Sequence, residues 1–133
     1  MAADRLVPIL PPDSPLKDQK VMLDELLKDP LLLREKGSAG RSFLDHILAS
    51  RSYTAEPLLE SVSTQAIVKS VGLGLGISFL PESLVINDIA SGTVSTCDIS
   101  DVSLSRNYSL VWHRHKLLSR SAKEAMDLFK ATA

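Results

Sequence analysis

The stretch Ser63–Pro81, STQAIVKSVGLGLGISFLP, says most about the fold of this chain. Ser63 and Thr64 precede Gln65–Leu73, whose apolar residues recur at helical spacing, and a hydroxyl residue ahead of such a run is typical of a helix N-cap. Gly74 suits the end of that helix, where the backbone commonly adopts positive φ. Ile77–Leu80 then reads as a strand closed by proline. The stretch therefore predicts a helix, a tight turn and a buried strand.

The glycines of this stretch superficially suggest a nucleotide-binding loop. Such a loop runs from a strand through glycines into a helix, so that the helix N-terminus faces the phosphate. Here the glycines follow a helix and enter a strand, which argues against a nucleotide site. Gly76 is better explained as the residue that permits a tight turn against the sheet.

The residues before this stretch predict further alternating elements. Leu6–Leu10 reads as a short strand, and Pro8 within it indicates an edge position or irregular pairing. Val21–Leu27 has a helical stripe, and Leu31–Leu33 is a continuous apolar run of the kind buried on both faces of a parallel sheet. A polar, glycine-bearing loop, Arg34–Gly40, follows that strand.

The sequence signals for the other elements are weaker. These elements are a helix at Ser42–Ala49, strands at Leu58–Leu59, Val94–Ile99 and Tyr108–Trp112, a brief turn or helix at Ser83–Ile86, and a final helix ending near Phe129. Strands that alternate with helices predict an α/β layered fold with a mostly parallel sheet.

The amino-acid composition and net charge exclude some classes of function. The chain has 133 residues, is 44% hydrophobic and carries a net charge of -1, which allows one real core but lacks the basic surface of a nucleic-acid-binding domain. Cys97 has no partner for a disulfide, fits a reducing cytoplasm and is interpreted as a small core residue. Met1–Leu10 contains no apolar run of signal-peptide or membrane-span length, so we expect a soluble cytoplasmic protein with no membrane partner.

Two polar segments are candidate ligand sites. Hydroxyl groups and unpaired backbone amides at Ser61–Gln65, just ahead of a helix, suit a carboxylate or another anion, although an ordinary N-cap would look the same. Arg34–Gly40 lies at the end of a buried strand, where ligands of open α/β sheets collect, but a solvated surface turn would also explain it.

No other chemistry is indicated. His113 and His115 alternate within a basic run without a nearby carboxylate or thiol, so a strand end in water explains them better than a metal does. His46 beside Asp45 reads as a surface or half-buried residue. The chain lacks a Gly-x-Ser-x-Gly elbow, a Cys/His neighbourhood and paired carboxylates in an apolar setting. We therefore expect no catalytic residues, no metal and no cofactor.

Taken together, these residues resemble the effector-binding domain of LysR-type transcriptional regulators over nearly the whole chain. Ser63–Pro81 is the most specific part, being similar to the family's helix and Val-x-x-Gly-x-Gly-Ile-x-x-Leu-Pro signature. Pro11–Leu16 resembles the family's turn after a strand, except that Ser14 stands where histidine is usual. Leu23–Leu33 and the following loop match in order as well.

The resemblance implies a fold similar to type II periplasmic binding proteins, in which two α/β lobes hold a ligand in the cleft between them. It implies a polar or anionic small-molecule effector and no catalysis. The residues that it places on the cleft are Lys36, Gly37, Ser38, Ser63, Thr64, Gln65, Phe79 and Pro81.

The resemblance also predicts how the chain is divided. Residues 16–107 would form one near-complete lobe, while residues 1–15 and 108–133 would be remnants of the other, in a truncated domain without the family's DNA-binding helix-turn-helix. DNA would then be a partner only through that absent segment. A remnant lobe would expose a sheet edge, so we expect self-association, that is, a homo-oligomer. The alternatives are a fragment of a transporter's solute-binding protein, which shares the fold, and an α/β enzyme.

Overall fold

The computed structural model describes residues 3–107. These residues divide into two units. One is Arg5–Leu104, and the described part of the other consists of Ala3–Asp4 and Ser105–Asn107. The predicted strand at Tyr108–Trp112 and the final helix, together with His113 and His115, lie outside the described residues.

Strands and helices alternate through the described part of the chain. The elements are β1 (Ala3–Ile9), β2 (Lys20–Val21), α1 (Leu23–Leu26), β3 (Leu32–Arg34), α2 (Ala39–Ser50), β4 (Leu59–Ser61), α3 (Thr64–Gly72), β5 (Ser78–Pro81), α4 (Glu82–Ala90), β6 (Asp98–Ile99) and β7 (Ser105–Asn107). This order confirms the predicted α/β class.

Three neighbouring strands run in the same direction. β3 pairs in parallel with β4, and a parallel bridge between Leu31 and Ile77 joins β3 to the start of β5. β3 is therefore central, and Ser61, Arg34 and Pro81, the last residues of β4, β3 and β5, lie at one edge. A separate parallel pair joins β2 to β6.

The prediction of a mostly parallel sheet is wrong for β1. This strand pairs antiparallel with β5, with Val7 opposite Leu80 and Ile9 opposite Ser78. The direction of β1 depends on a strand far away in the sequence, and an apolar run carries no information about direction.

Irregular pairing around Pro8 is confirmed. The amides of Leu6 and Leu10 donate to the carbonyls of Leu104 and Ser95, so the alternation of the strand puts the proline nitrogen on that same side. The Pro8 carbonyl accepts a hydrogen bond from Thr96 Oγ1 at 2.7 Å instead of a ladder partner. Pro8, which has no amide hydrogen to donate, therefore lies on the side of β1 where the hydrogen bonds do not form a regular ladder.

Two apolar clusters cover opposite faces of these strands. One contains Leu31, Leu33 and Phe79 with the inner face of α2, and the other contains Leu32 and Leu80 with the inner face of α3. The run Leu31–Leu33 is buried on both faces, as predicted. Cys97 lies in the first cluster and confirms its interpretation as a core residue. Burial, with Asp98 and Glu25 nearby, raises the pKa of its thiol to about 11.

Several element boundaries differ from the predictions. Lys20–Val21 is a strand paired with β6, which leaves only Leu23–Leu26 for α1. α2 begins at Ala39, because the Ser38 side chain accepts a hydrogen bond from the Arg41 amide, so Gly40 lies in a helix and not in a loop. The brief element after Pro81 is the nine-residue helix α4. Between Val94 and Ile99, only β6 and a bridge at Ser95 are extended.

The turn between α3 and β5 forms as predicted. Gly74 has φ +87° in open space directly after α3. Gly76 is buried, and a Cβ atom there would lie 2.4 Å from the Pro30 carbonyl oxygen. The first glycine therefore supplies positive φ, and the second permits a close approach of two backbone segments.

Ser78 offers a test of how a buried polar group affects stability. Its side chain is fully buried opposite Ile9, and its hydroxyl finds no hydrogen-bond partner within residues 3–107. Replacing it with alanine removes the desolvation cost at the loss of very little volume. We expect Ser78→Ala to raise the free energy of unfolding by about 1 kcal/mol in urea denaturation. A decrease of similar size would show that the hydroxyl is hydrogen-bonded.

Candidate functional site

The candidate site is the edge at which β4, β3 and β5 end, hereafter the carboxyl edge. The connections after β3 and β4 touch there, since the Glu35 amide donates to the Ser61 carbonyl over 3.2 Å. Ligands of open α/β sheets bind at the carboxyl ends of parallel strands, because helices that follow the strands point their N-termini at this edge. Both predicted polar segments are therefore on the side of the sheet expected for a ligand.

The first segment turns directly from β3 into α2. Its chain reversal uses Gly37 at φ +102° and a hydrogen bond from the Ser38 amide to the Glu35 carbonyl. The Ser38 Oγ then caps α2 by accepting from the Arg41 amide over 3.2 Å. The first amides of a helix have no partner within it, so with the Arg41 amide engaged by the cap, those of Ala39 and Gly40 remain available to a ligand.

The second segment forms the same kind of helix start after β4. Ser63 Oγ accepts a hydrogen bond from the Ala66 amide over 3.1 Å, and Ser61 Oγ accepts one from the Ser63 amide over 3.0 Å. Ser63 is the N-cap of α3, and Thr64 and Gln65 form its first turn. The predicted cap is confirmed, and a second helix N-terminus lies at the carboxyl edge.

Arg34 connects the two segments. Its Nη1 donates to Thr64 Oγ1 over 2.9 Å, and its Nε donates to Glu35 Oε1 over 3.0 Å. The Arg34 side chain is about one quarter exposed, so its guanidinium group borders solvent at the edge. Sequence reasoning noted this cation as part of the loop but did not select it, because its contact with Thr64 is a tertiary one.

A buried arginine, Arg41, connects the elements next to the carboxyl edge, and the sequence did not lead us to predict this role. Its side chain is only 2% exposed, and its Nε donates to both carboxylate oxygens of Asp45. Its Nη1 donates to the Arg34 carbonyl and to Glu60 Oε2, so one guanidinium group joins α2, β3 and β4. Burial disfavours its charge, yet the hydrogen bonds to Glu60 and Asp45 prevail and raise the pKa of Arg41 above its usual value.

A sequence signal for Arg41 did exist. Arg41, Leu44 and Leu48 are the buried residues of α2 and follow one another at the spacing of an inward-facing helical stripe. Asp45 lies four residues after Arg41, as in a helical ion pair. An arginine that interrupts an apolar stripe and has a carboxylate one turn later indicates a buried charge.

The structure separates the predicted site residues into groups. Two groups lie at the carboxyl edge. Gly37 and Ser38 belong to the connection after β3, and the N-cap and first turn of α3 are formed by Ser63, Thr64 and Gln65.

The other three occupy different surroundings. Pro81 ends β5 at this edge and is half-buried, within 3.9 Å of the place a Cβ on Gly40 would occupy. Phe79 is 4% exposed and lies inside the first apolar cluster, so its side chain supports the edge from within. Lys36 is exposed and borders a pocket beside α2.

The groups at the carboxyl edge suit an anion. Two sets of first-turn amides, the Thr64 and Ser38 hydroxyls and the Arg34 guanidinium are hydrogen-bond donors that favour negative charge. Within residues 3–107, no group of three or more His, Cys, Asp or Glu side chains is arranged to hold a metal ion. In the same residues, no helix is long and apolar enough to cross a bilayer.

This fold and edge define an effector-binding domain of the type II periplasmic-binding-protein kind, and the whole chain, residues 1–133, matches the LysR substrate binding domain family. The chain belongs to that family. Among its relatives is YeiE of Escherichia coli K12, an uncharacterized HTH-type transcriptional regulator, which is 34% identical over 124 residues. That match covers 93% of this chain and 42% of YeiE, so the chain spans less than half the length of this relative.

Solved structures of the same family share the fold. The Synechocystis PCC6803 CcmR regulatory domain in complex with 2-PG superposes with a TM-score of 0.68 at 22% identity, covering 98% of this chain and 63% of that one. The effector binding domain of QuiR in complex with shikimate gives 0.67 at 21% identity, covering 78% and 49%. At these identities the similarity concerns the fold alone.

Proposed function

We propose that this chain senses a small polar or anionic metabolite at the carboxyl edge and transmits its binding within a LysR-type transcription regulator. The observation that carries the proposal is the meeting of two capped helix N-termini, bridged by the hydrogen bond from Arg34 to Thr64, at the ends of three parallel strands. Oriented amides and a guanidinium group supply positive potential without basic side chains spread over the surface. That pattern suits a ligand with one carboxylate or phosphate group.

The proposed contacts come from both segments. Ser38, Gly37 and the α2 amides would receive one side of the ligand, and Ser63, Thr64 and Gln65 the other. Lys36 and Pro81 would border the site, and Phe79 would fix the strand that carries Pro81. We further propose that residues 16–107 form one lobe, that residues 1–15 and 108–133 contribute to the second, and that the ligand binds between them.

The remaining parts of the proposal concern the intact regulator. Effector binding would shift the equilibrium between lobe arrangements and so reorient DNA-binding segments, in the cytoplasm and without catalysis. We also propose self-association. Among residues 3–107, β4 pairs only with β3, and the apolar side chains exposed in and beside β4 are Leu58, Leu59 and Val62. Such an edge can pair with another copy of the chain. The transport alternative is not favoured, because the matching family is one of regulators.

Thr64→Val tests the site directly. The change keeps the shape of the side chain but removes the hydroxyl that receives Arg34, so both the ligand and Arg34 lose a partner. We expect the affinity of the chain for an anion to fall about tenfold, the effect of about 1.4 kcal/mol. The measurement is an NMR titration with shikimate, with 2-PG and with inorganic phosphate, which reports the amides of residues 63–65 separately from the rest.

Ser70→Ala is the matched control. Ser70 lies on the same helix with its hydroxyl bonded to the Ala66 carbonyl, well away from the N-terminus of α3. Anion affinity should be unchanged in this variant. If saturating phosphate leaves the amides of residues 63–65 unperturbed in the parent chain, the anion site is contradicted, and equal binding by Thr64→Val removes Thr64 from it.

A further inference from the structure

A second, separate pocket lies beside α2. It has a volume of about 240 Å³ and is bounded by α2 and by the connection Tyr53–Ala55 that leads toward β4. Of the predicted site residues, only Lys36 borders it. The volume is that of a molecule smaller than a typical drug-sized ligand.

Arg41 gives this pocket a preorganised hydrogen-bond donor. Its Nε and Nη1 are bonded to Asp45, to the Arg34 carbonyl and to Glu60. Its Nη2 has no partner within residues 3–107, and it is not among the fully enclosed polar atoms of that part of the chain. Arg41 lines the pocket with 2% of its side chain exposed, and its guanidinium group is held by its other bonds, so Nη2 is the nitrogen left to donate to a ligand there.

The other polar groups of the pocket also favour a negative ligand. Lys36 forms no ion pair within the described part of the chain, and Thr54 and Tyr53 each bring a hydroxyl. The one carboxylate of the wall, Asp45, has both oxygens engaged by Arg41 Nε. Asp45 keeps further acceptor positions, but the N–H groups of Lys36 and Arg41 Nη2 and the two hydroxyls outnumber them, and Lys36 is the charged group of this wall that has no ion-pair partner in the described residues.

The rest of the pocket is apolar. Ala49 on α2 and Ala55 on the connection contribute methyl groups, and Tyr53 and Ala55 pack against the first apolar cluster. This wall can cover a short hydrocarbon group while the charged end meets Arg41 and Lys36. We propose that the pocket beside α2 binds a small organic monocarboxylate with a short hydrocarbon body.

The pocket is also connected to the carboxyl edge. Arg41 donates to the carbonyl of Arg34, whose side chain in turn bonds Thr64. A carboxylate on Nη2 would draw on the same guanidinium group that fixes the end of β3. The second ligand is therefore positioned to alter the affinity of the edge for an anion. An anion at the edge would then alter the affinity of the pocket for its ligand by the same factor.

The test compares three probes of one shape. In an NMR titration, 3-methylbutanoate should perturb the amides of residues 49, 53 and 55 in a saturable way. The neutral 3-methylbutanamide and the cationic 3-methylbutylamine should bind at least about tenfold more weakly, because they lack the charge that Arg41 and Lys36 recognise. Equal binding of all three probes would overturn the carboxylate assignment, and absence of saturable binding by 3-methylbutanoate would overturn the site.

Two leucine variants of α2 locate the response. Ala49→Leu fills the pocket while keeping a good helix former and every charge, and should weaken 3-methylbutanoate about tenfold or more. His46→Leu adds the same side chain at an exposed position of the helix that does not border the pocket, and should leave the affinity unchanged. Equal affinity of Ala49→Leu and the parent chain would overturn the site. Phosphate binding at the carboxyl edge is read from residues 63–65 in a separate titration, so failure of this proposal is distinguishable from failure at that edge.

Discussion

Gly76→Ala should lower the free energy of unfolding by about 3 kcal/mol, the upper part of the range for overpacking. A Cβ at this position would lie 2.4 Å from the Pro30 carbonyl oxygen and 3.2 Å from Leu32 Cγ. That carbonyl cannot simply retreat, because it accepts the Ile77 amide over 2.9 Å where β5 joins β3. Relief of the clash would therefore separate the strands whose ends form the carboxyl edge. Urea denaturation followed by circular dichroism measures the loss.

Gly74→Ala provides the comparison. A Cβ at Gly74 would meet nothing within 4 Å, so its only cost is the positive φ of +87°. We expect a loss of about 1 kcal/mol, as for other residues forced into the left-handed region. If the two variants lost equal stability, the close approach at Gly76 would not be the reason for the glycine.

Arg41→Met should lower the free energy of unfolding by about 2 kcal/mol. Methionine fills much of the same space, but it leaves the Arg34 carbonyl without its donor, and the hydrogen bonds to Asp45 and Glu60, which are 39% and 43% exposed, are replaced by bonds to water. The change removes the link between α2, β3 and β4 at once. Chemical denaturation at fixed salt concentration gives the value.

Arg5→Met is the matched control for Arg41→Met. Arg5 makes a two-point ion pair with Glu82, but the two side chains are 55% and 38% exposed. Water solvates both charges once the pair is lost, so we expect a change of less than about 1 kcal/mol. A loss at Arg5 as large as that at Arg41 would contradict the view that burial makes the difference.

The two arginines also differ in what a sequence pattern reveals. Arg41 could be suspected, because it interrupts the buried stripe of α2 and precedes Asp45 by one helical turn. Arg34 gave no such signal. Its partner Thr64 is thirty residues away, and only the parallel pairing of β3 with β4 brings the two side chains within 2.9 Å.

The local order of elements could be predicted because it depends on neighbouring residues. Helical spacing, a serine N-cap and two glycines defined α3, the turn and β5 within Ser63–Pro81, and the same stretch carried the resemblance to the family that the whole chain matches. The buried run Leu31–Leu33 and the core position of Cys97 followed from composition and apolarity alone. α4 was predicted too short, because the sequence offers no N-cap side chain to mark its beginning at Glu82.

What only the tertiary structure decided is which distant segments meet. The antiparallel direction of β1 and the bonds from Arg34 to Thr64 and from Arg41 to Glu60 join residues that are remote in sequence, and the pocket beside α2 depends on how the connection Tyr53–Ala55 packs against that helix. Periodicity reports which face of an element is apolar, but strand direction and side-chain partners depend on how elements pack. The sequence alone therefore determined the class and the side of the sheet that bears the polar segments, while packing determined which donors lie together at the carboxyl edge.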